Sequence, residues 1–226
     1  MTRTRFHQGL DILKQKLLTM GGMAEQAVDR AAQAYRTQDL QLCQLVLEAE
    51  RGINISHSEI DELATDLLAM QQPMAVDLRF ILAVIKINED LERVGDQAVN
   101  IVERVMDMNT LPPAEIPADI PRMASVAVGM VRQALQAFIE GDAEISQAVL
   151  ESDDNVDQMN RDIFVAMDKL MHDNPDVARQ ALDALLIARN LERVADHATN
   201  IAEDVIFWVQ GADVRHHQRA FINRQS

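Results

Sequence analysis

The chain has little of what a sheet, secreted or membrane protein needs. Among 226 residues there is one cysteine, Cys43. That excludes an internal disulfide and a thiolate metal site, and it fits a reducing cytoplasm. Cys43 sits in an apolar helical stretch, as a buried structural thiol does. Aromatic residues make up 4 % of the chain, with 8 glycines and 6 prolines. A large sheet needs more aromatic, β-branched and turn-forming residues, so the composition points to helices. The longest apolar runs, such as residues 80–85, fall far short of the roughly 18 residues of a membrane span. No apolar segment follows the basic residues at the start of the chain, as it would in a signal peptide. The expectation is a soluble, cytoplasmic protein whose membrane contact is at most peripheral. Basic residues are scarce too: 21 Lys+Arg stand against 36 Asp+Glu, a net charge of -15. Nucleic-acid backbones need clustered cations, so general nucleic-acid binding is excluded. Cations or basic partner surfaces are favoured instead.

Apolar residues make up 48 % of the chain, enough for a real core in one or two domains. The charge is uneven. Residues 1–16 hold four basic side chains and one acid, and residues 214–226 hold Arg215, Arg219 and Arg224 with no acid. The body between carries 14 basic and 35 acidic residues, about -21. Basic ends of this kind are either solvated or a contact for anionic lipid or a partner.

The chain repeats itself. Residues 91–101, LERVGDQAVNI, recur at an offset of 100 as LERVADHATNI, with eight of eleven positions identical. A second match has an offset of 103: Gln33-Ala34-Tyr35 answers to Gln136-Ala137-Phe138, and Val46-Leu47-Glu48 to Val149-Leu150-Glu151. The three residues lost between the two matches predict a shorter loop in the second half. Four of the six prolines lie between residues 111 and 121, where no helix can run through. Each half reads as three long helices. In the first half they cover about Gln8–Thr37, a segment capped by Asp39 and ending near Met70, and about Met74–Met108. Gly141-Asp142 and Asn174-Pro175 punctuate the second half in the same way. Leu91, Val94, Ala98, Ile101 and Val105 form one apolar stripe at helical spacing. The predicted fold is all-α, two tandem three-helix bundles from an internal duplication. The first copy covers 1–110, a proline-rich linker 111–121, the second copy 122–212 and a basic tail 213–226. A pseudo-twofold or a translation could relate the copies.

Glu92, Asp96 and Asn100 sit four residues apart on one narrow stripe, which Glu103 joins. Glu192, Asp196, Asn200 and Glu203 repeat it. On the second helices Glu50 and Asn54 share a face that continues through His57 and Asp61; their counterparts are Asp153, Asp157 and Asn160. Like charges at this spacing destabilise a bare helix. Two such stripes facing each other need a cation between them, and hard multivalent cations want oxygen ligands in number. An acidic face opposite an apolar stripe is also what an ordinary solvated helix shows. Its retention at one register in both halves favours a metal site. The metal expected is iron, or failing that Mg²⁺, Mn²⁺ or Zn²⁺. Glu50, Glu92 and Asp96 would hold it in the first copy, and Asp153, Asp157, Glu192 and Asp196 in the second. The second should bind more tightly, having four carboxylates against three. Arg93 and Arg193 flank the stripes as ion-pair partners or as contacts for phosphate or a partner.

At these residues the chain resembles the PhoU family, over nearly its whole length. The resembling stretches are Met20-Gly21-Gly22-Met23, residues 72–79 (QPMAVDLR), and the two LERV motifs. The resemblance implies two three-helix bundles, homodimerisation and metal sites of the form Glu/Asp-x-x-x-Asp. That motif is complete at Glu92/Asp96, Asp153/Asp157 and Glu192/Asp196, and departs from the pattern at Glu50/Asn54. The resemblance also implies a regulator that restrains phosphate uptake and the phosphate-starvation two-component response. Its partners would be the phosphate ABC transporter ATPase and the phosphate-sensing histidine kinase, and it would not be an enzyme. The alternatives are a carboxylate-bridged metalloenzyme, such as a metal-dependent phosphohydrolase, and a metal-free scaffold. No Walker-type phosphate loop occurs, and the Glu-x-x-His pair of ferritin-like iron bundles is absent.

Overall fold

A computed structural model describes residues 3–70 and 73–211. The expected basic tail, 213–226, lies outside the described residues. Six helices follow one another: α1 Arg3–Thr37, α2 Leu40–Met70, α3 Ala75–Asn109, α4 Ile120–Glu140, α5 Ala143–Asp173 and α6 Ala178–Gln210. The described residues form no strand. The all-α, duplicated architecture expected from the sequence is therefore the one observed.

Local chemistry explains most helix ends. Asp39 Oδ1 accepts from the Gln41 N–H at 2.8 Å. Its repeat mate Asp142 accepts from the Glu144 and Ile145 N–H groups at 2.7 and 3.2 Å. Losing such a cap costs about 1 kcal/mol. Gly141 closes α4 with a φ of 64°, in the left-handed region that favours glycine. The first copy places Gln38 at the same point with a φ of 54°. There the Gln38 side chain donates to the Tyr35 carbonyl at 2.7 Å, and its own carbonyl accepts from Asn109 Nδ2 at 3.0 Å.

Three boundaries differ from expectation. Helix α1 starts at Arg3 rather than near Gln8. The linker is shorter than 111–121, because Ile120 and Pro121 already belong to α4. Proline suits a first turn, where its missing N–H has no intrahelical partner to lose, and Asp119 accepts from the Arg122 N–H at 3.3 Å. Asn174 makes no side-chain capping bond; Pro175–Val177 form a 3₁₀ turn instead, and α6 begins at Ala178. The expected shorter loop is not found: α2 ends at Met70 and α3 begins at Ala75, and α5 ends at Asp173 and α6 begins at Ala178, so the three lost residues come out of the start of the third helix instead.

The copies are related by a pseudo-twofold, not by a translation. Along the α3–α6 seam Lys86 meets Asp204, Asp90 meets His197, and Arg104 meets Asp183. Partner numbers fall as α3 rises, so the two helices run antiparallel. Helices α1 and α4 do the same: Lys14 Nζ donates to the Ile139 carbonyl at 2.8 Å, and Arg132 pairs with Glu25 at 2.6 Å. The seam is capped by Phe80, Phe138 and Trp208, with ring centroids 5.2 to 5.9 Å apart. Helices α1, α3, α4 and α6 therefore form the middle of the molecule, and α2 and α5 flank it. Cys43 is fully buried under Asp39, as expected of a structural thiol.

Candidate metal centres in the two outer grooves

Each outer groove lies between the second and third helices of its copy. In the second copy Asp153 and Asp157 of α5 face Glu192 and Asp196 of α6. Burial raises the Asp153 carboxyl to about 6, and Asp196, Asp157, Asp154 and Glu192 push it the same way. Glu192 is raised by burial and then by Asp196 and Asp157, against the lowering pull of Arg189 and Arg193. Asp196 is raised by burial and then by Asp157. Four carboxylates thus share one field. The nearest ion pair is Arg161 Nη1, 3.4 Å from Asp157 Oδ2.

The first copy differs in kind. Where the second copy has the carboxylate of Asp157 the first has the amide of Asn54, whose Nδ2 points at Glu50 Oε1 at 3.4 Å. Glu92 is raised by burial, then by Asp96, and lowered by Arg93 and His57. Arg93 bonds Glu89 at 3.0 Å and stands 3.7 Å from Glu92. His57 Nε2 lies 3.6 Å from Glu89 and 3.8 Å from Asp61. Buried Asn88 donates from Nδ2 to the His57 carbonyl at 3.0 Å and to Asp61 Oδ1 at 2.9 Å.

Glu50, Glu92, Asp96, Asp153, Asp157 and Glu192 are half-buried, while Asn54 and Asp196 are exposed. Asn100 lies half-buried on α3, one turn beyond Asp96. Asn200 does not turn toward α5: its Nδ2 donates to Asp90 Oδ1 across the seam at 3.1 Å, the same oxygen that His197 Nδ1 meets at 2.9 Å. Among the described residues no three His, Cys, Asp or Glu side chains converge closely enough to hold a metal ion. The donor set nonetheless suits a hard cation. It is all oxygen and, apart from Asp196, half-buried, and its raised protonation equilibria are those a bound cation would reverse.

Sequence reasoning missed Glu89, Asp90 and Asp183. Glu89 lies just outside the eleven-residue identity, and its exchange for Arg189 was the available signal. Asp90 had none, since its partners lie on the other copy; Asp183 had only Arg179 four residues before it, its other partner Arg104 lying on the other copy. A cleft of about 490 Å³ opens beside the seam, lined by Asp61, Lys86, Glu89, Asp90, Asn200 and Asp204 among others.

Two three-helix bundles packed antiparallel, with a carboxylate stripe in each outer groove, define a class of duplicated all-helical proteins. A model of the PhoU domain matches the chain twice, over residues 17–105 and 120–205. The chain belongs to the PhoU family. It is 35 % identical over 215 residues to the phosphate-specific transport system accessory protein PhoU homolog of Pseudomonas aeruginosa, covering 94 % of this chain and 88 % of that one. It is 29 % identical over 212 residues to the protein PhoU of Escherichia coli K12, with coverage of 94 % and 88 %. The crystal structure of PhoU from Pseudomonas aeruginosa superposes with a TM-score of 0.88 at 34 % identity, covering 92 % of this chain and all of that one. The phosphate transport system regulatory protein PhoU of Streptococcus pneumoniae gives 0.85 at 26 % identity, covering 92 % and 99 %.

Proposed function

We propose that this chain is a cytoplasmic accessory regulator of phosphate transport, acting by binding and not by catalysis. It restrains high-affinity phosphate uptake and the phosphate-starvation response when phosphate is plentiful. Its partners are the ATPase of the phosphate transporter and the phosphate-sensing kinase. The observation that carries this reading is the double match to the PhoU domain, one in each bundle. Two further features agree with it. No helix of the described residues is long and apolar enough to cross a membrane. The chain's net charge of -15 favours partners that present basic or apolar surfaces. A homodimer is part of the same reading.

The carboxylate grooves are proposed as cation sites. Asp153, Asp157, Glu192 and Asp196 would hold a hard cation in the second copy, and Glu50, Glu92 and Asp96 in the first. A cation bound there would supply positive charge that neutralises the stripe and fixes the spacing of the two helices. Iron is the first candidate and Mn²⁺, Mg²⁺ or Zn²⁺ the next.

Deleting the gene tests the regulatory reading. Phosphate uptake and a phosphate-starvation reporter should stay switched on in phosphate-rich medium. Normal repression in the deletion strain, together with metal-dependent hydrolysis of a phosphate ester by the purified protein, would replace the regulator with an enzyme.

A further inference from the structure

The groove between α5 and α6 continues beyond its carboxylates. Asp153 feels the charges of Asp196 and Glu192, and Asp157 acts on both Glu192 and Asp196, so these four stand together across the groove. One helical turn from them stand Arg161 on α5 and Arg189 on α6. A further turn along α5 carries Phe164 and Val165, and along α6 Leu185 and then Leu182. Phe164 is 57 % exposed, Val165 67 % and Leu182 40 %, so three large apolar side chains lie in water on an acidic protein. Arg189 and Arg193 are exposed, and neither forms an ion pair among the described residues. Glu192 between them feels the charge of both.

The first copy is the control. Where the second copy has Arg161, Phe164, Val165 and Arg189, the first has Ser58, Asp61, Glu62 and Glu89. There Asp61 is bonded by Asn88, and Glu89 is held by Arg93 and faced by His57. The second copy carries Ala188 in place of Asn88 and Asn160 in place of His57. Its face has therefore lost those acids and the groups that satisfied them, and has gained exposed apolar side chains and two cations, of which Arg161 pairs with Asp157 while Arg189 forms no ion pair among the described residues.

We propose that this α5–α6 face docks a protein partner, one that presents apolar side chains flanked by carboxylates. Charge selects that occupant. The exposed arginines call for acids, and Phe164, Val165 and Leu182 call for an apolar surface between them. An anionic membrane would meet the same arginines but also the four carboxylates beside them. A second copy pairing symmetrically through this same face would bring its own arginines to it rather than unpaired acids. The inference rests on the regulatory reading above; the acids it asks of the partner are local to Arg189 and Arg193, while the partner surface beyond them meets the acidic body and is basic or apolar as in that reading.

The test uses the full chain against two purified probes from the same organism: the phosphate transporter's ATPase subunit and the cytoplasmic part of the phosphate-sensing kinase. Phe164→Asp with Val165→Glu should weaken binding to at least one probe by about tenfold or more, as loss of an apolar anchor does. Arg189→Glu should weaken the same complex. Both variants alter exposed side chains, and circular dichroism should show unchanged helix content. Unchanged affinity in both variants overturns this inference and leaves the regulatory reading standing. Failure of the unaltered chain to bind either probe overturns both. Two other results also overturn the inference. One is sedimentation with phosphatidylglycerol vesicles that the double variant abolishes, which assigns the face to a membrane. The other is self-association that the double variant abolishes, which assigns it to a second copy.

Discussion

Helices α2 and α3 of the first copy and α5 and α6 of the second share one scaffold and one motif, yet one groove is electrically closed and the other open. In the first, Arg93, His57 and Asn88 spend themselves on Glu89 and Asp61. In the second, four carboxylates face each other, and burial and then the neighbouring acids raise Asp153 to about 6. Beneath the charges the packing is conserved in sum rather than in place. Gly95 lets α3 approach α2 so closely that an added Cβ would stand 2.9 Å from Ile53 Cδ1. The corresponding pair in the second copy is Ala195 and Val156, both buried. One methyl has moved from the α2 position to the α3 position, keeping the volume that a close-packed core requires. The comparison teaches that burial holds the duplicated core constant while the groove surface is free to take a different chemistry in each copy.

The seam gives the largest expected break in that symmetry. Asp183 is buried, and its mate in the first copy is Ala83. Arg179 and Arg104 stand 3.4 and 3.7 Å from its carboxylate. Burial raises Asp183 and the two arginines oppose the rise. Arg104→Ala with Arg179→Ala should cost about 3 kcal/mol, because a buried charge is left without a cation. Asp183→Ala, which installs the first copy's residue, should cost much less, since the arginines it frees can turn to water. Urea denaturation reads both, and equal losses would mean that the pair and not the stranded charge carries the stability.

Exchanging the ligand difference between the grooves comes next. Asp157→Asn should weaken Mn²⁺ binding at the second groove by roughly tenfold, about 1.4 kcal/mol, and Asn54→Asp should strengthen the first by a similar factor. Calorimetric titration of each variant measures this. Tighter binding by the first groove in the unaltered chain would reverse the ranking of the two copies.

A smaller effect follows from protonation. The folded carboxyl of Asp153 titrates at about 6 against a usual 3.8, so between these values the native state holds more protons than the unfolded chain. Stability of the metal-free protein should therefore fall as pH rises from about 4 to about 6 and level off above. After allowance for solvent screening the drop from this group is about 1 kcal/mol. Glu192, Asp196 and Glu92, also raised, act in the same sense. Asp153→Asn should flatten most of the slope. A slope that survives the substitution would place the titrating group elsewhere.

The smallest effect tests the exchanged methyl. Gly95→Ala gains helix propensity and loses packing against Ile53, and so should change stability by less than about 1 kcal/mol. Ile53→Val alone should cost about 1 kcal/mol. Together they rebuild the second copy's pair, and the double variant should be more stable than the sum of the singles by about 0.5 kcal/mol. Strict additivity would mean that the two positions do not compensate.

Much of this was open to reading along the chain. Helices, their Asp39 and Asp142 caps, the break near the prolines and the offset of 100 all depend on residues within a few positions of each other. So does the register of Glu92 with Asp96 and of Glu192 with Asp196, because a helix returns to the same face every three or four residues. Asn200 shows where this stops. Its spacing puts it on the carboxylate stripe, and the fold turns its amide to Asp90 instead.

The sequence by itself determined the helices, the duplication and the carboxylate types that each copy offers, since local periodicity and capping energies decide these. Only the tertiary structure decided that the copies pack antiparallel, so that Lys86 reaches Asp204 and His197 reaches Asp90. It also decided that His57 of α2 reaches Glu89 of α3 in the first groove, while Arg189 and Arg193 of the second form no ion pair among the described residues. The physical reason is distance along the chain. Charge neutralisation depends on which side chains lie within a few ångströms of each other, and in this molecule many of those pairs are about a hundred residues apart.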